Sequence, residues 1–299
     1  MTKEKTSAHG RDHEVNTLLW ATDFSKESRN CLPYVKVFSN TLHTQNYAIY
    51  VLPRFSDWIY ETAFVPKEEL MVSVEKTREK SAANLLKAVR RTHIEFETRI
   101  TEGIASTEII EFATQNRVDM IFVGRRGDSE IEHILIGSTT SRLTRNSAVP
   151  VFVVPRAVRN VQIERILCPI DFSEYSMKEL DFAISLAKQF NAKLFVAHIS
   201  EFFNYKIPVF NRDKLLEKIN EKIEKTGEAH QYKIENFIFE LGEPAKKILE
   251  IARTNKVNVI TMTTHQRKGI EKLFLGSIAE KVLMYSDIPV IILPPDRHG

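Results

Sequence analysis

The sequence predicts an α/β fold class with two similar domains, each a parallel sheet flanked by helices. Its length of 299 residues is enough for two domains that each bury a core. Short apolar runs alternate with amphipathic stretches, an order typical of strands and helices in parallel sheets. The second half also repeats the pattern of the first. We place the domains at residues 1–155 and 156–299, joined by a short surface connection over residues 156–164.

The internal repeat is clearest at the first predicted strand of each half. The segment LLWATDFS, which contains Asp23, aligns with ILCPIDFS, which contains Asp171, at an offset of 171 − 23 = 148 residues. Toward the end of each half, Gly137 aligns with Gly276 at an offset of 276 − 137 = 139. The first half therefore carries 148 − 139 = 9 extra residues, which fall between its second and third strands.

Each half is predicted to contain five strands. In the first half they lie near residues 17–22, 47–52, 95–101, 120–123 and 149–154, and in the second near 165–170, 193–199, 236–241, 257–262 and 289–293. Ser25 and Ser173 follow the first strands and are predicted helix N-caps. After the turn at Gly103, a further helix is predicted to start around Ser106.

Composition restricts the class of partner. Lysine and arginine number 42 against 39 acidic residues, and the net charge of +3 gives no reason to expect a nucleic-acid partner. The first ten residues lack the apolar core of a signal peptide, and no apolar run reaches the roughly 20 residues of a membrane span. We therefore expect a cytoplasmic protein with no membrane partner. The two cysteines, Cys31 and Cys168, are predicted to lie in cores.

A glycine motif is the main candidate for a binding site. Gly124-Arg125-Arg126-Gly127 follows the apolar run 120–123 and is separated by nine residues from Gly137-Ser138. Glycines let a ligand approach the backbone, and the N–H groups of a helix start attract phosphate. Asp23 and Val51 are predicted at the ends of two further strands. In an open parallel sheet these ends meet at the ligand-binding edge, which indicates a mononucleotide site.

Simpler interpretations stay open for the same residues. Asp23 is also compatible with a plain turn, and Gly124 and Gly127 with a strand-to-helix turn that needs no ligand. Arg125 and Arg126 are either phosphate contacts or surface side chains. Residues 129–132 fit a capping box, so the nine-residue spacer is predicted to be a short helix. His133 has no ligand-spaced partner and is read as a helix residue, so we predict no metal site on the protein and no catalytic group.

With these motifs the chain resembles a tandem universal stress protein. ATP-binding members of that family carry a Gly-x2-Gly-x9-Gly-Ser/Thr pattern and an aspartate after the first strand. The resemblance implies two Rossmann-like (adenine nucleotide alpha hydrolase-like) domains, with ATP and Mg²⁺ bound in the first. It also implies pairing of the two final strands as a pseudo-dimer, and a possible homodimer. The implied nucleotide contacts are Asp23, Val51, Val123, Gly124, Arg125, Gly127, Gly137, Ser138 and Thr139.

The second half departs from the family pattern. Thr263 and Gln266 stand where the first half has Gly124 and Gly127, although Gly276 and Ser277 are kept. Side chains at these positions would occupy the approach of phosphate to the backbone. We therefore expect weak or no ATP binding in the second half, with another nucleotide or a small anion as alternatives.

Three functions are compatible with this sequence. The first is a stress-response regulator whose first half binds ATP and which acts on an unknown protein partner. The second is slow ATP hydrolysis or self-phosphorylation at Ser138 or Thr139, although no general base is evident. The third is a scaffold that works without nucleotide. The extra residues near 55–80, with Trp58, Tyr60 and Phe64, are predicted to form a lid, a partner surface or a longer packed helix.

Overall fold

In a computed structural model, the protein is described over residues 14–53, 67–126, 136–157, 160–201, 212–263 and 275–294. Ten strands form one sheet within these ranges. The strands are β1 (Thr17–Ala21), β2 (Gln45–Leu52), β3 (Glu97–Glu102), β4 (Met120–Gly124), β5 (Val151–Val154), β6 (Arg165–Pro169), β7 (Lys193–Ser200), β8 (Asn236–Leu241), β9 (Val259–Thr263) and β10 (Val290–Leu293). All ten predicted strands are confirmed, with ends that differ by at most two residues.

The helices of the described ranges lie between these strands. They are α1 (Lys26–Arg29), α2 (Leu32–Leu42), α3 (Lys67–Arg90), α4 (Ala105–Gln115), α5 (Ser138–Asn146), α6 (Glu174–Phe190), α7 (Arg212–Ala229), α8 (Pro244–Thr254) and α9 (Ser277–Tyr285). Both predicted N-caps are confirmed: Ser25 Oγ accepts a hydrogen bond from Ser28 N at 3.0 Å, and Ser173 Oγ accepts one from Ser176 N at 3.2 Å. No helix in the described part of the chain is both long and apolar enough to cross a bilayer.

The order of strands in the sheet is β3-β2-β1-β4-β5-β10-β9-β6-β7-β8. Within each half all neighbouring strands are parallel. The halves join where β5 and β10 pair in the antiparallel direction, with Phe152 opposite Ile291. Each half thus places its first strand beside its fourth, and chain order reverses at that pair.

Two apolar cores cover the two faces of this sheet. Side chains alternate along each strand, so Leu18 and Trp20 enter one core while Leu19 enters the other. Both cores contain residues from both halves. Phe152 of β5 and Ile291 of β10 lie in the same cluster and are fully buried. The halves therefore share their hydrophobic interior rather than touching at a polar surface.

The extra residues of the first half lie where the repeat offset predicts them. The connection from β2 to β3 spans residues 53–96, and that from β7 to β8 spans residues 201–235, so the lengths are 44 and 35 residues and differ by 9. Part of the difference is helical, since α3 has 24 residues and α7 has 18. Trp58, Tyr60 and Phe64 lie outside the described residues.

Candidate functional site

The candidate site lies at the carboxyl ends of β1 and β4, where the strand order of the first half reverses. These strands are in register, with Leu18 opposite Met120 and Trp20 opposite Phe122. Asp23 comes two residues after β1, and Gly124 is the last residue of β4. The neighbouring strand β2 brings Val51 to the same edge. Parallel α/β sheets bind ligands in the crevice at such a reversal.

The turn that carries Asp23 has a strained residue at its centre. Phe24 adopts a left-handed backbone, with φ of 63°, which is uncommon for a bulky side chain. Asp23 Oδ1 accepts a hydrogen bond from Ser25 N at 3.0 Å. The Phe24 ring packs on Tyr50 with centroids 4.5 Å apart. These contacts hold the turn in place and leave the Asp23 side chain exposed at the edge of the sheet.

Phe24 and Tyr50 were missed by the sequence analysis, although a signal for the turn was present. The second half repeats the turn, since Phe172 also has φ of 63° and Asp171 Oδ1 accepts from Ser173 N at 2.9 Å. The Asp-Phe-Ser triplet is identical in both halves, and this repetition is the sequence signal that could have predicted the shared turn.

Gly124 is required by close packing rather than by its backbone angles. A Cβ at this position would lie 2.8 Å from the Glu27 carbonyl carbon, which belongs to the backbone of α1. Among the described glycines, left-handed φ values occur at Gly103 and Gly242 and not at Gly124. The glycine therefore lets the end of β4 lie against α1, which brings the loop next to the Asp23 turn.

The start of α5 forms the third side of the site. Its N-cap is Gly137, so no side chain caps the first N–H groups of this helix. Gly137 N donates to Arg125 O at 2.8 Å, and buried Thr140 Oγ1 donates to Gly124 O at 2.7 Å. These two bonds fix the helix start beside the end of β4. Ser138 is exposed there. Uncapped N–H groups next to serine and threonine hydroxyls suit a phosphate ligand.

The structure brings most of the predicted site residues together, but Val123 lies in the core and Val51 packs against it. Val123 is buried in the core with 4% of its surface exposed, and Val51 is half-buried against the same cluster. Their contacts with a ligand would therefore come mainly from backbone atoms. Gly127, His133 and the predicted spacer helix lie outside the described residues.

Arg125 differs from both sequence interpretations. Its guanidinium is partly buried and donates from Nη1 to the carbonyl oxygens of Leu283, Met284 and Ser286 at 3.4, 3.0 and 2.9 Å. These oxygens lie at the end of α9 in the second half. The side chain is therefore not a solvated surface group. Its hydrogen bonds also direct it to α9 and not to the helix start at Gly137. Its backbone remains part of the candidate loop.

In the second half a buried carboxyl group lies below the corresponding edge of the sheet. Glu179 of α6 is 2% exposed, and its Oε1 accepts hydrogen bonds from Thr261 Oγ1 at 3.0 Å and Cys168 Sγ at 3.6 Å. Burial raises the pKa of Glu179 to about 8, although these bonds and one from the Thr263 backbone oppose the shift. Thr263 ends β9 at the position of Gly124. The strand end that corresponds to the glycine turn of the first half therefore lies next to the buried polar group formed by Glu179, Thr261 and Cys168.

The cysteines are core residues, as predicted. Cys31 and Cys168 are both fully buried free thiols. Burial raises the pKa of each thiol well above its ordinary value, so the reactive thiolate form is disfavoured. Among the described residues, no group of three or more His, Cys, Asp or Glu side chains is placed to hold a metal ion.

Comparison with known proteins gives the family. The family model described as "Universal stress protein family" matches residues 14–155 and again residues 162–294. The chain belongs to the universal stress protein family. It carries two copies of the family's domain, one in each half of the repeat.

Individual relatives agree with this assignment. A universal stress protein of Methanocaldococcus jannaschii is 28% identical over 159 residues, which cover 49% of this chain and 92% of the relative. A universal stress protein of Bacillus subtilis is 28% identical over 144 residues, covering 43% of this chain and 97% of the relative. These relatives match about half of the chain, as expected if each corresponds to one domain.

A solved structure extends the likeness to the whole chain. The crystal structure of a universal stress protein from Archaeoglobus fulgidus superposes with a TM-score of 0.72. It covers 94% of this chain and 99% of the other at 24% sequence identity. The Rossmann-like fold predicted for both halves is thereby confirmed.

Proposed function

We propose that the first half binds ATP together with Mg²⁺, and that the chain acts as a nucleotide-responsive regulator in the cytoplasm. The observation that carries this proposal is that three features lie close together at the sheet edge where the strand order of the first half reverses. They are the exposed carboxylate of Asp23, the close-packed backbone at Gly124 and the uncapped start of α5. In this assignment the base and ribose lie by Asp23 and Val51, and the phosphates lie by Gly124, Gly127 and residues 137–139.

The donor set fits a nucleotide phosphate. The N–H groups of Ser138 and Thr139 lie in the first helical turn, where the helix dipole favours negative charge. Mg²⁺ would enter with the nucleotide, held by phosphate oxygens and water, because Asp23 is assigned to the ribose in this proposal. The bound ion would offset phosphate charge.

The proposed binding is tested best by substituting Asp23. Replacing Gly124 would bring a side chain against the Glu27 backbone, so lost binding could reflect a displaced α1. Asp23→Ala removes an exposed carboxylate that accepts a hydrogen bond from Ser25 N within its own turn. Asp171→Ala is the matched control, because Asp171 is exposed and makes the same bond in the second half.

Calorimetric titration of the full chain with Mg·ATP is expected to give one site per chain. We expect Asp23→Ala to weaken binding about tenfold or more, because hydrogen bonds to charged groups contribute about 1.5–3 kcal/mol. Asp171→Ala should leave the affinity within about twofold of the parent. Equal losses in both variants, or no binding by the parent chain, would contradict an ATP site restricted to the first half.

A further inference from the structure

Helix α9 of the second half ends without a cation of its own. It has no basic residue in its last turn, and the carbonyl groups at a helix end carry partial negative charge. Arg125 of the first half supplies the missing donor, since its Nη1 bonds three carbonyl oxygens there, including that of the C-cap Ser286. One side chain from the first half therefore caps a helix of the second.

The backbone of Arg125 belongs to the candidate phosphate loop. Its N–H donates to Val154 O at 2.8 Å, at the end of β5, and its carbonyl accepts from Gly137 N at 2.8 Å, at the start of α5. The two backbone bonds and the side-chain bonds of one residue thus connect the loop, the helix start and the opposite half. A displacement of Arg125 would move the atoms proposed to bind phosphate.

The contact is well suited to hold the loop in one position. Burial, together with the charges of Arg126 and Arg156, lowers the pKa of the Arg125 guanidinium, but arginine stays charged in proteins. The charges of Arg126 and Arg156 disfavour a cation at this location, whereas the charge of Asp287 and the three carbonyl acceptors at the end of α9 favour it. Helix α9 is itself fixed, because it precedes β10 in the shared sheet.

We propose that Arg125 is a positioning residue, through which the second half supports the phosphate loop of the first. This role rests on the ATP site proposed above. It gives the second half a function that does not require a nucleotide of its own. The repeat position of Arg125 is 125 + 139 = 264, where the chain has an uncharged threonine, so the second half has no arginine at the matching position.

Three variants of the full chain test the proposal. Arg125→Ala removes the contact, and Arg125→Lys keeps a cation that can donate to the same carbonyls. Arg145→Ala is the matched control, since Arg145 bonds Glu280 across the same interface at 3.2 Å but lies at the far end of α5 from the loop. The measurements are Mg·ATP affinity by calorimetry, and hydrogen exchange of the Arg125 and Gly137 amides without nucleotide.

We expect Arg125→Ala to weaken ATP binding about tenfold and to speed exchange of both amides about tenfold or more. Arg125→Lys should recover part of the affinity, and Arg145→Ala should match the parent in both measurements. Unchanged affinity in Arg125→Ala, or an equal loss in Arg145→Ala, would overturn the positioning role.

The two proposals fail in different ways. If the parent chain does not bind Mg·ATP, the proposed function is wrong, and hydrogen exchange alone then decides the role of Arg125. Faster exchange in Arg125→Ala than in Arg145→Ala would still show that the second half holds the loop. Equal exchange rates would overturn the positioning role as well.

Discussion

The two halves differ at the residue scale in a small cluster beneath the sheet edge. Three buried positions differ between the halves, and in the second half they carry a thiol, a carboxyl and a hydroxyl group. The corresponding pairs are Trp20 and Cys168, Cys31 and Glu179, and Phe122 and Thr261. The changes occur together, so the carboxyl of Glu179 receives partners that the first half could not supply. A buried carboxyl without such partners would be far more costly.

Glu179 predicts a pH dependence of stability with a definite sign. Its pKa in the folded state is about 8, above the ordinary value of 4.5. Between these two pH values the folded state therefore binds one more proton than the unfolded state. The stability linked to this group is fully present below the unfolded pKa and is lost as the pH rises through about 8. From about pH 5.5 to 8.5 the free energy of unfolding should fall by roughly 3 kcal/mol.

The Glu179→Gln variant isolates this effect. Glutamine is close to the neutral carboxyl in shape and does not titrate, so the fall should be largely absent in urea unfolding at the two pH values. Glu174→Gln is the control on the same helix, because Glu174 is 81% exposed in its ion pair with Lys178. The same decline in Glu179→Gln as in the parent would rule out ionisation of Glu179 as its cause.

Sequence reasoning reached some single residues and not others. Ser25 and Ser173 were predictable because an N-cap is a local preference, fixed by the few residues that follow it. The role of Arg125 was not predictable, because its acceptors are backbone carbonyls more than 150 positions away. Every residue type has a backbone carbonyl, so the sequence does not show which residues accept hydrogen bonds through it.

At the scale of secondary-structure elements, the contact between the start of α5 and the end of β4 sets the geometry of the proposed phosphate site. Thr140 Oγ1 connects the first turn of the helix to the Gly124 carbonyl at 2.7 Å. The repeat position in the second half is 140 + 139 = 279, an alanine, so that half lacks this bond. The backbone at the two helix starts is otherwise nearly identical, with φ and ψ of −58° and 147° at Gly137 and −57° and 144° at Gly276.

Thr140→Val is expected to loosen the phosphate-binding end of α5. The substitution keeps the shape of the buried side chain but removes its hydroxyl, at a cost of about 1–2 kcal/mol in stability. ATP affinity should fall several-fold in calorimetry. Thr144→Val is the control, since Thr144 is equally buried one turn later but bonds Ser141 O within its own helix. Similar affinities for the two variants would argue against a specific role for Thr140.

The elements themselves were largely predictable because their signals are periodic. Fully buried strands such as β4 and β5 appear as short apolar runs, and the repeat supplied each strand twice. The break between α1 and α2 was not predicted, although Pro33 near the start of α2 is compatible with it. The second half has one continuous helix, α6, in the same place.

At the scale of the whole molecule, the shared cores predict that both halves unfold together. Phe152 packs against Phe38 and Phe122 of its own half and lies opposite Ile291 of the other. Phe152→Ala should lower the free energy of unfolding by about 3–5 kcal/mol. Ile104→Ala is the control, because Ile104 is 61% exposed and should change stability by less than about 0.5 kcal/mol.

The cooperativity can be measured with two probes of urea unfolding. Both tryptophans, Trp20 and Trp58, lie in the first half of the sequence, so their fluorescence reports on that half. Circular dichroism reports on the helices of both halves. Coincident transitions in the parent and in Phe152→Ala are expected for one cooperative unit. A second transition seen only by circular dichroism would show that the halves unfold separately.

The antiparallel pairing of β5 with β10 within one chain also bears on how far the two copies can differ. In a symmetric homodimer, every substitution appears on both sides of the twofold axis, so an arginine that caps a neighbouring helix does so twice. Here the two sides are encoded separately in one chain. Thr263 and Thr264 could replace Gly124 and Arg125 on one side alone. A single chain can therefore keep the glycine loop in one copy and carry a different loop in the other.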